Sequence, residues 1–295
     1  MSWYRDPTDP THGYWGPITS TLHWCEQKYR FSPYVAEPVN TVTNVFFIAL
    51  SLYGFHVSRR ERLPLRWSIC HLGVALVGFG SALFHGTLLY WTQLLDELPM
   101  IYTSAWLTYC VCETSKGYGK PRFRLLLPLT LTLLVVWITV VYVWNGNPVF
   151  HQVAYASIQI VSTVRVIYLL RNSSQHNSTA AGKQRKKEIQ KLYLFGAIVF
   201  LTGFAIWNVD NIFCYQLRQA RKKVGYPAAV LLEGHGWWHV LTGWGAYCLI
   251  TAGSQLGVGE KEDVGNFRLQ NGWFPVVKRI KEYKAGGGRV GKKKA

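Results

Sequence analysis

Long stretches with almost no charged residues alternate along this chain with short clusters of Lys and Arg. About 20 apolar residues are needed to cross a bilayer as a helix. Seven such stretches can be placed, at residues 39–58, 67–86, 91–112, 124–144, 148–170, 191–213 and 229–252. Each is too long for a strand, and a helix satisfies its backbone polar groups internally, as lipid requires. The pattern predicts an all-α membrane protein, a seven-transmembrane helix bundle.

The composition disfavours the main soluble alternatives. Charged residues make up 16% of the chain, well below the roughly 25% of an ordinary soluble domain, and hydrophobic residues make up 49%. The formal net charge is nevertheless +17, and the basic residues that cause it lie between the apolar stretches. A soluble nucleic-acid-binding protein and a disordered chain are both disfavoured, so we expect no nucleic-acid partner.

The basic clusters also predict the orientation. They follow the first, third, fifth and seventh stretches, and the positive-inside rule therefore places the N-terminus in the lumen and the C-terminus in the cytosol. We expect a luminal N-terminal segment (1–38), a membrane domain (39–252) and a basic cytosolic tail (253–295) that contacts anionic lipid. The polar loop 171–190, after the fifth stretch, is expected to be disordered.

The last four residues match a known type of localisation signal. Lys292 to Ala295 match a dilysine retrieval signal of the endoplasmic reticulum, and the alternative is simply a basic tail at anionic lipid. An internal membrane, the endoplasmic reticulum or the Golgi, is the expected location.

Three histidines are candidate metal ligands. His235 and His239 are at i and i+4, which places both imidazoles on one helix face at a spacing that suits one divalent metal. His85 lies at the same luminal depth in the predicted topology, and it completes a three-ligand set with one open position, as in catalytic zinc sites. The alternative is that the paired histidines only form hydrogen bonds at the membrane interface.

Other polar side chains fall close to these histidines in the predicted bundle. Ser81 is one turn deeper than His85 on the same face, and Asp96 follows a short luminal turn that brings its carboxylate within reach of a metal-bound water. Ionisable groups within a bilayer are costly and mark functional sites. The set predicts metal-assisted hydrolysis of a membrane-buried bond, with Asp96 accepting a proton and Ser81 stabilising an oxyanion. Asn208 and Asp210 either shape this site or give structural support by pairing across helices.

Two of the six cysteines share the luminal side in this topology. Cys25 and Cys214 therefore lie in an oxidising compartment, where a disulfide between them can persist. A pair of free buried thiols is the alternative.

Several longer motifs resemble those of the alkaline ceramidases, seven-helix zinc amidases related to the progestin and adipoQ receptors. The resemblance covers nearly the whole membrane region, in the segments Gly13 to Pro17, Thr19 to Thr21, Trp24 to Glu26, Ala36 to Glu37, Asn40 to Thr41, Gly80 to His85, Gln93 to Tyr102, Phe150 to Val153, Trp207 to Cys214 and His235 to His239. It implies that the three histidines bind zinc, that Asp96 activates the water and that Ser81 helps to hold it. It also implies that ceramide, dihydroceramide or phytoceramide is hydrolysed to a sphingoid base and a fatty acid.

A calcium site of that family is altered here. Its ligand positions match His23, Trp24, Glu26, Lys28 and Glu37 in this chain. Nitrogen groups replace oxygen ligands at His23 and Lys28, whereas calcium prefers six to eight oxygens. We expect the Lys28 ammonium to pair with Glu26 and Glu37 in place of the ion, so that activity is insensitive to calcium. The alternative is a weak calcium site completed by backbone carbonyls and water.

Two other functions fit parts of the pattern. A receptor of the progestin and adipoQ type would share the zinc site, but its N-terminus is expected on the opposite side of the membrane. An intramembrane zinc protease is disfavoured because no Glu lies between His235 and His239, unlike the His-Glu-x-x-His arrangement. The sequence therefore predicts a zinc-dependent ceramide amidohydrolase.

Overall fold

The computed structural model describes residues 6–119 and 121–281. The helices are α1 (Pro38–Arg60), α2 (Leu65–Thr87), α3 (Tyr90–Cys112), α4 (Leu126–Asn145), α5 (Pro148–Asn172), α6 (Ser174–Asn177), α7 (Ala180–Ile212), α8 (Cys214–Val224) and α9 (Gly234–Lys261). Strands β1 (His12–Gly13) and β2 (Gly16–Pro17) form one antiparallel hairpin, and β3 (Phe267–Gln270) and β4 (Val276–Arg279) form another. The membrane region is thus entirely helical, as the hydropathy pattern predicts.

Local sequence sets several of the helix ends. Pro38 and Pro148 open α1 and α5, where the missing N–H of proline costs no hydrogen bond. The Asn147 side chain caps α5 by accepting from the Val149 N–H at 3.0 Å. Gly146 ends α4 with φ 59°, a left-handed conformation that glycine adopts without steric cost.

Among the residues that the structure describes, five helices, namely α1, α2, α4, α5 and α7, are long and apolar enough to cross a membrane. The long helices α3 and α9 also coincide with predicted stretches, but they carry the polar side chains of the candidate site. The chain is therefore an integral multi-pass membrane protein. The count of seven spans and the orientation of the termini stay predictions.

Glycine allows two pairs of helices to approach at backbone distance. A Cβ on Gly245 of α9 would lie 2.8 Å from the Gly196 carbonyl oxygen of α7, so the two backbones are in direct contact. A Cβ on Gly80 of α2 would lie only 1.9 Å from the Leu95 carbonyl oxygen of α3. Because Ser81 and Asp96 are the next residues, this second contact positions both of them.

The prediction that residues 171–190 are disordered was wrong. Helix α6 and the start of α7 occupy this loop. The Thr179 hydroxyl caps α7 by accepting from the Gly182 N–H at 3.0 Å, and the buried His176 lies 3.0 Å from the Glu260 carboxylate of α9. Capping and a tertiary contact thus order a segment that its polar composition alone would leave disordered.

Residues 253–281, which follow the last predicted span, are also structured. Helix α9 continues to Lys261, and the β3 and β4 hairpin then returns along it. The Trp244 indole donates to the Trp273 carbonyl at 3.0 Å, and the Tyr247 hydroxyl donates to the Pro275 carbonyl at 2.8 Å. The predicted retrieval signal, Lys292 to Ala295, lies outside the described residues.

Candidate metal centre

Three imidazoles converge at one end of the bundle. His85 is in the last turn of α2, and His235 and His239 are in the first two turns of α9. One ligand atom from each of the three lies within 4.8 Å of the others, and all three residues are buried. The i and i+4 spacing indeed places both α9 histidines on the face that meets α2.

The hydrogen bonds of these rings fit a metal ion. His85 Nδ1 lies 2.5 Å from the Glu37 carboxylate, whereas its Nε2 is buried with no hydrogen-bond partner among the described residues. His235 Nδ1 is likewise buried and unpaired within the described part of the chain. Buried polar atoms are nearly always satisfied, and a metal-binding histidine commonly donates its other N–H to a carboxylate. The donor set of three neutral imidazoles suits zinc.

Ser81 and Asp96 adjoin the histidines. The Ser81 hydroxyl oxygen lies 3.4 Å from His239 Nε2, and the Asp96 carboxylate lies close enough to Ser81 to interact with it. The close approach of α2 to α3 at Gly80 brings these two side chains together. A hydroxyl, a carboxylate and three imidazoles therefore form one continuous cluster, as the sequence predicts.

Lys28 lies at the centre of the altered calcium site. Its ammonium donates to the Trp24 carbonyl at 2.7 Å and the Glu26 carbonyl at 3.1 Å, and it forms a buried salt bridge with the Glu37 carboxylate. Burial raises the pKa of Glu37, but the Lys28 charge and the His85 hydrogen bond outweigh burial and hold that pKa at about 2. One carboxylate thus joins the Lys28 ammonium to a candidate metal ligand.

The Glu26 carboxylate does not bond Lys28, which differs from the expected pairing. It accepts from the backbone N–H groups of Val39 at 2.7 Å and Asn40 at 2.8 Å, at the start of α1. Helix N-termini offer free donors and favour negative charge, which explains this preference. Burial, with the charges of Glu233 and Glu37, still raises the pKa of Glu26 well above its usual range. His23, in the same segment, is half-buried.

Cys25 and Cys214 are joined by a disulfide in the structure, with their Cα atoms 5.4 Å apart. The bond attaches the N-terminal segment to the first residue of α8. Arg218 of α8 donates to the Cys25 carbonyl at 2.8 Å and pairs with Asp9, so α8 holds this segment by charge as well.

Asp210 and Asn208 have different surroundings. Asp210 accepts from Arg221 at 2.6 Å and from the Gly234 N–H at 3.2 Å, so it supports the first turn of α9, one residue before His235. Asn208 instead donates to the Phe204 carbonyl of its own helix at 2.7 Å. Asp210 therefore gives structural support to the start of α9.

Sequence reasoning missed three side chains around the cluster and one link between residues. It did not link Glu37 to His85, and it did not identify Arg221 as the partner of Asp210. It also left out Thr43 and Asn44, which lie 3.0 Å from His239 Nδ1 and 3.0 Å from Ser81 Oγ, respectively. The available signal for these two was their polarity within an apolar stretch that carries no charge.

Buried imidazoles, a hydroxyl and a carboxylate that meet inside a helical, multi-pass membrane protein define an intramembrane hydrolase. The arrangement can hold an ion, take a proton and stabilise negative charge on an oxygen.

Comparison with known proteins then identifies the family. A family model described as Ceramidase matches residues 16–278. Alkaline ceramidase 3 of Mus musculus is 39% identical over 241 residues, covering 82% of this chain and 85% of that protein. An alkaline ceramidase of Saccharomyces cerevisiae is 36% identical over 262 residues, covering 85% and 81%. One of Arabidopsis thaliana is 30% identical over 244 residues, covering 82% and 86%. The chain belongs to the alkaline ceramidase family and is a ceramidase, and the receptor alternative is not favoured.

Proposed function

We propose that this protein hydrolyses the N-acyl amide of ceramide with zinc bound by His85, His235 and His239. The observation that carries the proposal is the convergence of three buried imidazoles whose ligand atoms lie within 4.8 Å, in a chain of the ceramidase family. In the reaction, water adds to the amide carbon and the C–N bond breaks, which yields a sphingoid base and a fatty acid. The same steps in reverse condense the two products.

The other residues of the centre have separate roles. Zinc held by three imidazoles polarises a carbonyl oxygen and increases the acidity of water. The Asp96 carboxylate accepts the proton of the attacking water and returns it to the departing amine. The Ser81 hydroxyl donates to the oxygen that gains negative charge. Glu37 accepts from His85 Nδ1–H, which leaves Nε2 of that ring free as a ligand.

The proposed arrangement in the membrane follows from the charge distribution. Seven helices cross an internal membrane, of the endoplasmic reticulum or the Golgi, with the centre in the luminal half. The basic loops and tail lie in the cytosol, where they contact anionic lipid. The substrate reaches the centre from the bilayer, because the three imidazoles are buried among helices.

Lys28 takes the role of calcium in this proposal. Its ammonium binds the Trp24 and Glu26 carbonyls and the Glu37 carboxylate, which are oxygen groups of the kind that calcium requires. The fixed positive charge of Lys28 would repel a divalent cation at this place. Calcium is therefore not a cofactor, and activity is independent of it.

The direct test measures activity and metal together. Purified full-length protein in detergent is expected to contain about one zinc per chain and to release sphingoid base from ceramide, dihydroceramide or phytoceramide. His239→Ala should lose both zinc and activity. His56→Ala is the matched control, because His56 is an exposed histidine of α1 outside the cluster. Bound zinc without cleavage of any of the three substrates would refute the proposed hydrolysis. Cleavage by protein that contains no zinc would refute the requirement for zinc.

A further inference from the structure

Two adjacent polar residues of α1 contact the centre. Thr43 and Asn44 lie in the second turn of α1, where a membrane-spanning helix usually carries apolar side chains. Asn44 is only 1% exposed. A buried amide within a membrane helix is costly unless it is fully hydrogen-bonded, so its partners indicate what it does.

The hydrogen bonds of Thr43 determine which nitrogen of His239 carries the proton. The Thr43 hydroxyl lies 2.9 Å from the Val39 carbonyl and 3.1 Å from the Asn40 carbonyl, both of which can only accept. Its single hydrogen is therefore donated within α1, and its oxygen must accept from His239 Nδ1–H at 3.0 Å. With the proton on Nδ1, Nε2 keeps a free lone pair that faces the cluster.

Asn44 determines the direction of the Ser81 hydroxyl. The Asn44 amide nitrogen donates to the Asn40 carbonyl at 2.9 Å and to Ser81 Oγ at 3.0 Å, which uses both of its hydrogens. The same nitrogen lies 3.4 Å from His239 Nδ1, but there two donors face each other and no bond forms. Ser81 Oγ thus accepts from Asn44, which leaves its own hydrogen free to be donated within the cluster.

We propose that Thr43 and Asn44 are positioning residues of the hydrolytic centre, Thr43 through the tautomer of His239 and Asn44 through the orientation of the Ser81 hydroxyl. The inference rests on the proposed function, and it adds α1 to the elements that determine metal affinity and turnover.

The first test concerns Thr43 and measures zinc retention rather than activity. Purified full-length protein is titrated with a zinc chelator, and the zinc that remains bound is determined. Thr43→Val keeps the shape but cannot accept from Nδ1, and we expect a loss of about 10 to 100-fold in zinc affinity, as for other outer-shell partners of metal ligands. Thr43→Ser should restore wild-type retention, and Thr43→Ala is measured in parallel in case Val disturbs folding.

Thr130→Val is the matched control. The Thr130 hydroxyl of α4 makes the same pair of bonds to carbonyls of its own helix, at 2.9 and 3.0 Å, with no histidine beside it. It should retain zinc like the wild type. Equal retention in Thr43→Val and the wild type would overturn the Thr43 assignment.

The second test concerns Asn44 and separates positioning from stability. We expect Asn44→Leu to keep its zinc and its KM for ceramide while kcat falls by about 10-fold or more, because a misdirected Ser81 hydroxyl loses part of the 10²–10³-fold contribution of an oxyanion donor. Asn44→Ser retains a polar group but is too short to reach Ser81, and it should show the same loss. Loss of zinc in both variants, or an unchanged kcat, would refute the assignment.

Failure of the inference differs from failure of the proposed function. If the wild type binds zinc and cleaves ceramide but these variants match it, only the α1 assignment is wrong. If the wild type binds no zinc, the metal proposal and this inference are wrong together.

Discussion

Replacing Lys28 by Asn tests whether a protein charge has replaced a calcium ion. Lys28 is 4% exposed and its partner Glu37 is fully buried, so the change leaves a carboxylate without its compensating charge. Removing one partner of a buried ion pair costs about 3–5 kcal/mol. Glu37 keeps its bonds to His85 and to the Asn40 amide, so we expect a loss of about 3 kcal/mol in the free energy of unfolding, the lower end of that range.

Calcium should then rescue the variant and not the wild type. Lys28→Asn supplies an amide oxygen beside the Trp24 and Glu26 carbonyls and the Glu37 carboxylate, which restores an oxygen-rich site. At a calcium concentration of 100 times its Kd, binding to the folded state alone stabilises by about 2.7 kcal/mol. Calcium would therefore recover most of the loss, while the wild type should be unchanged.

The assay is thermal unfolding of the purified protein in detergent, with a calcium chelator or with added calcium. Lys223→Asn changes an exposed lysine of α8; it is the control for loss of one positive charge and should respond in neither condition. A wild type that calcium stabilises, or a Lys28→Asn variant as stable as the wild type in chelator, would refute the reasoning.

The pH dependence of this ion pair has a defined sign. The pKa of Glu37 in the folded protein is about 2, below the ordinary 4.5. Its contribution to stability is therefore complete above about pH 4.5 and is lost as the pH falls toward 2. The wild-type pair should therefore remain intact at neutral and alkaline pH.

Two further changes test the helix contacts around the centre. Gly80→Ala would place a Cβ 1.9 Å from the Leu95 carbonyl oxygen, so we expect α2 and α3 to separate. The variant should retain zinc, but its kcat should fall by roughly 10-fold or more, because the catalytic groups beside Gly80 are displaced. Gly253→Ala meets no atom closer than 3.7 Å and is the control; equal activity of the two variants would contradict the close-approach argument. Replacing Cys25 and Cys214 by Ser should cost about 2–4 kcal/mol in the free energy of unfolding, measured by thermal unfolding without reductant; identical peptide masses with and without reduction in the wild type would show that no such bond forms.

The sequence by itself determined the class of fold and the histidine set. Stretches of about 20 apolar residues can satisfy their backbone only as helices in lipid, so α1 to α5 could be placed within a few residues. The helices α7 and α9 could also be placed, but α7 begins well before its predicted stretch, at Ala180, and α9 continues beyond it, to Lys261. His235 and His239 share a helix face because the α-helix repeats every 3.6 residues. These inferences depend only on local helix geometry and on the lipid bilayer that surrounds the helices.

Sequence alone could not order the segment around His176. Its polar composition indicates disorder, and the partner that opposes it, Glu260, lies 84 residues away in the chain. Composition indicates that ordering a polar segment costs conformational entropy. It does not indicate which stabilising contacts a distant segment of the chain provides.

Only the tertiary structure decided which groups surround the histidines. Glu37 could be matched to a calcium ligand, yet its bond to His85 depends on how the chain enters α1 beside the end of α2. Thr43 and Asn44 reach the centre because α1 packs against both α2 and α9. Such contacts join residues separated by up to 196 positions, and no local periodicity encodes them, because hydrogen-bond partners across helices depend on rotation and depth within the bundle.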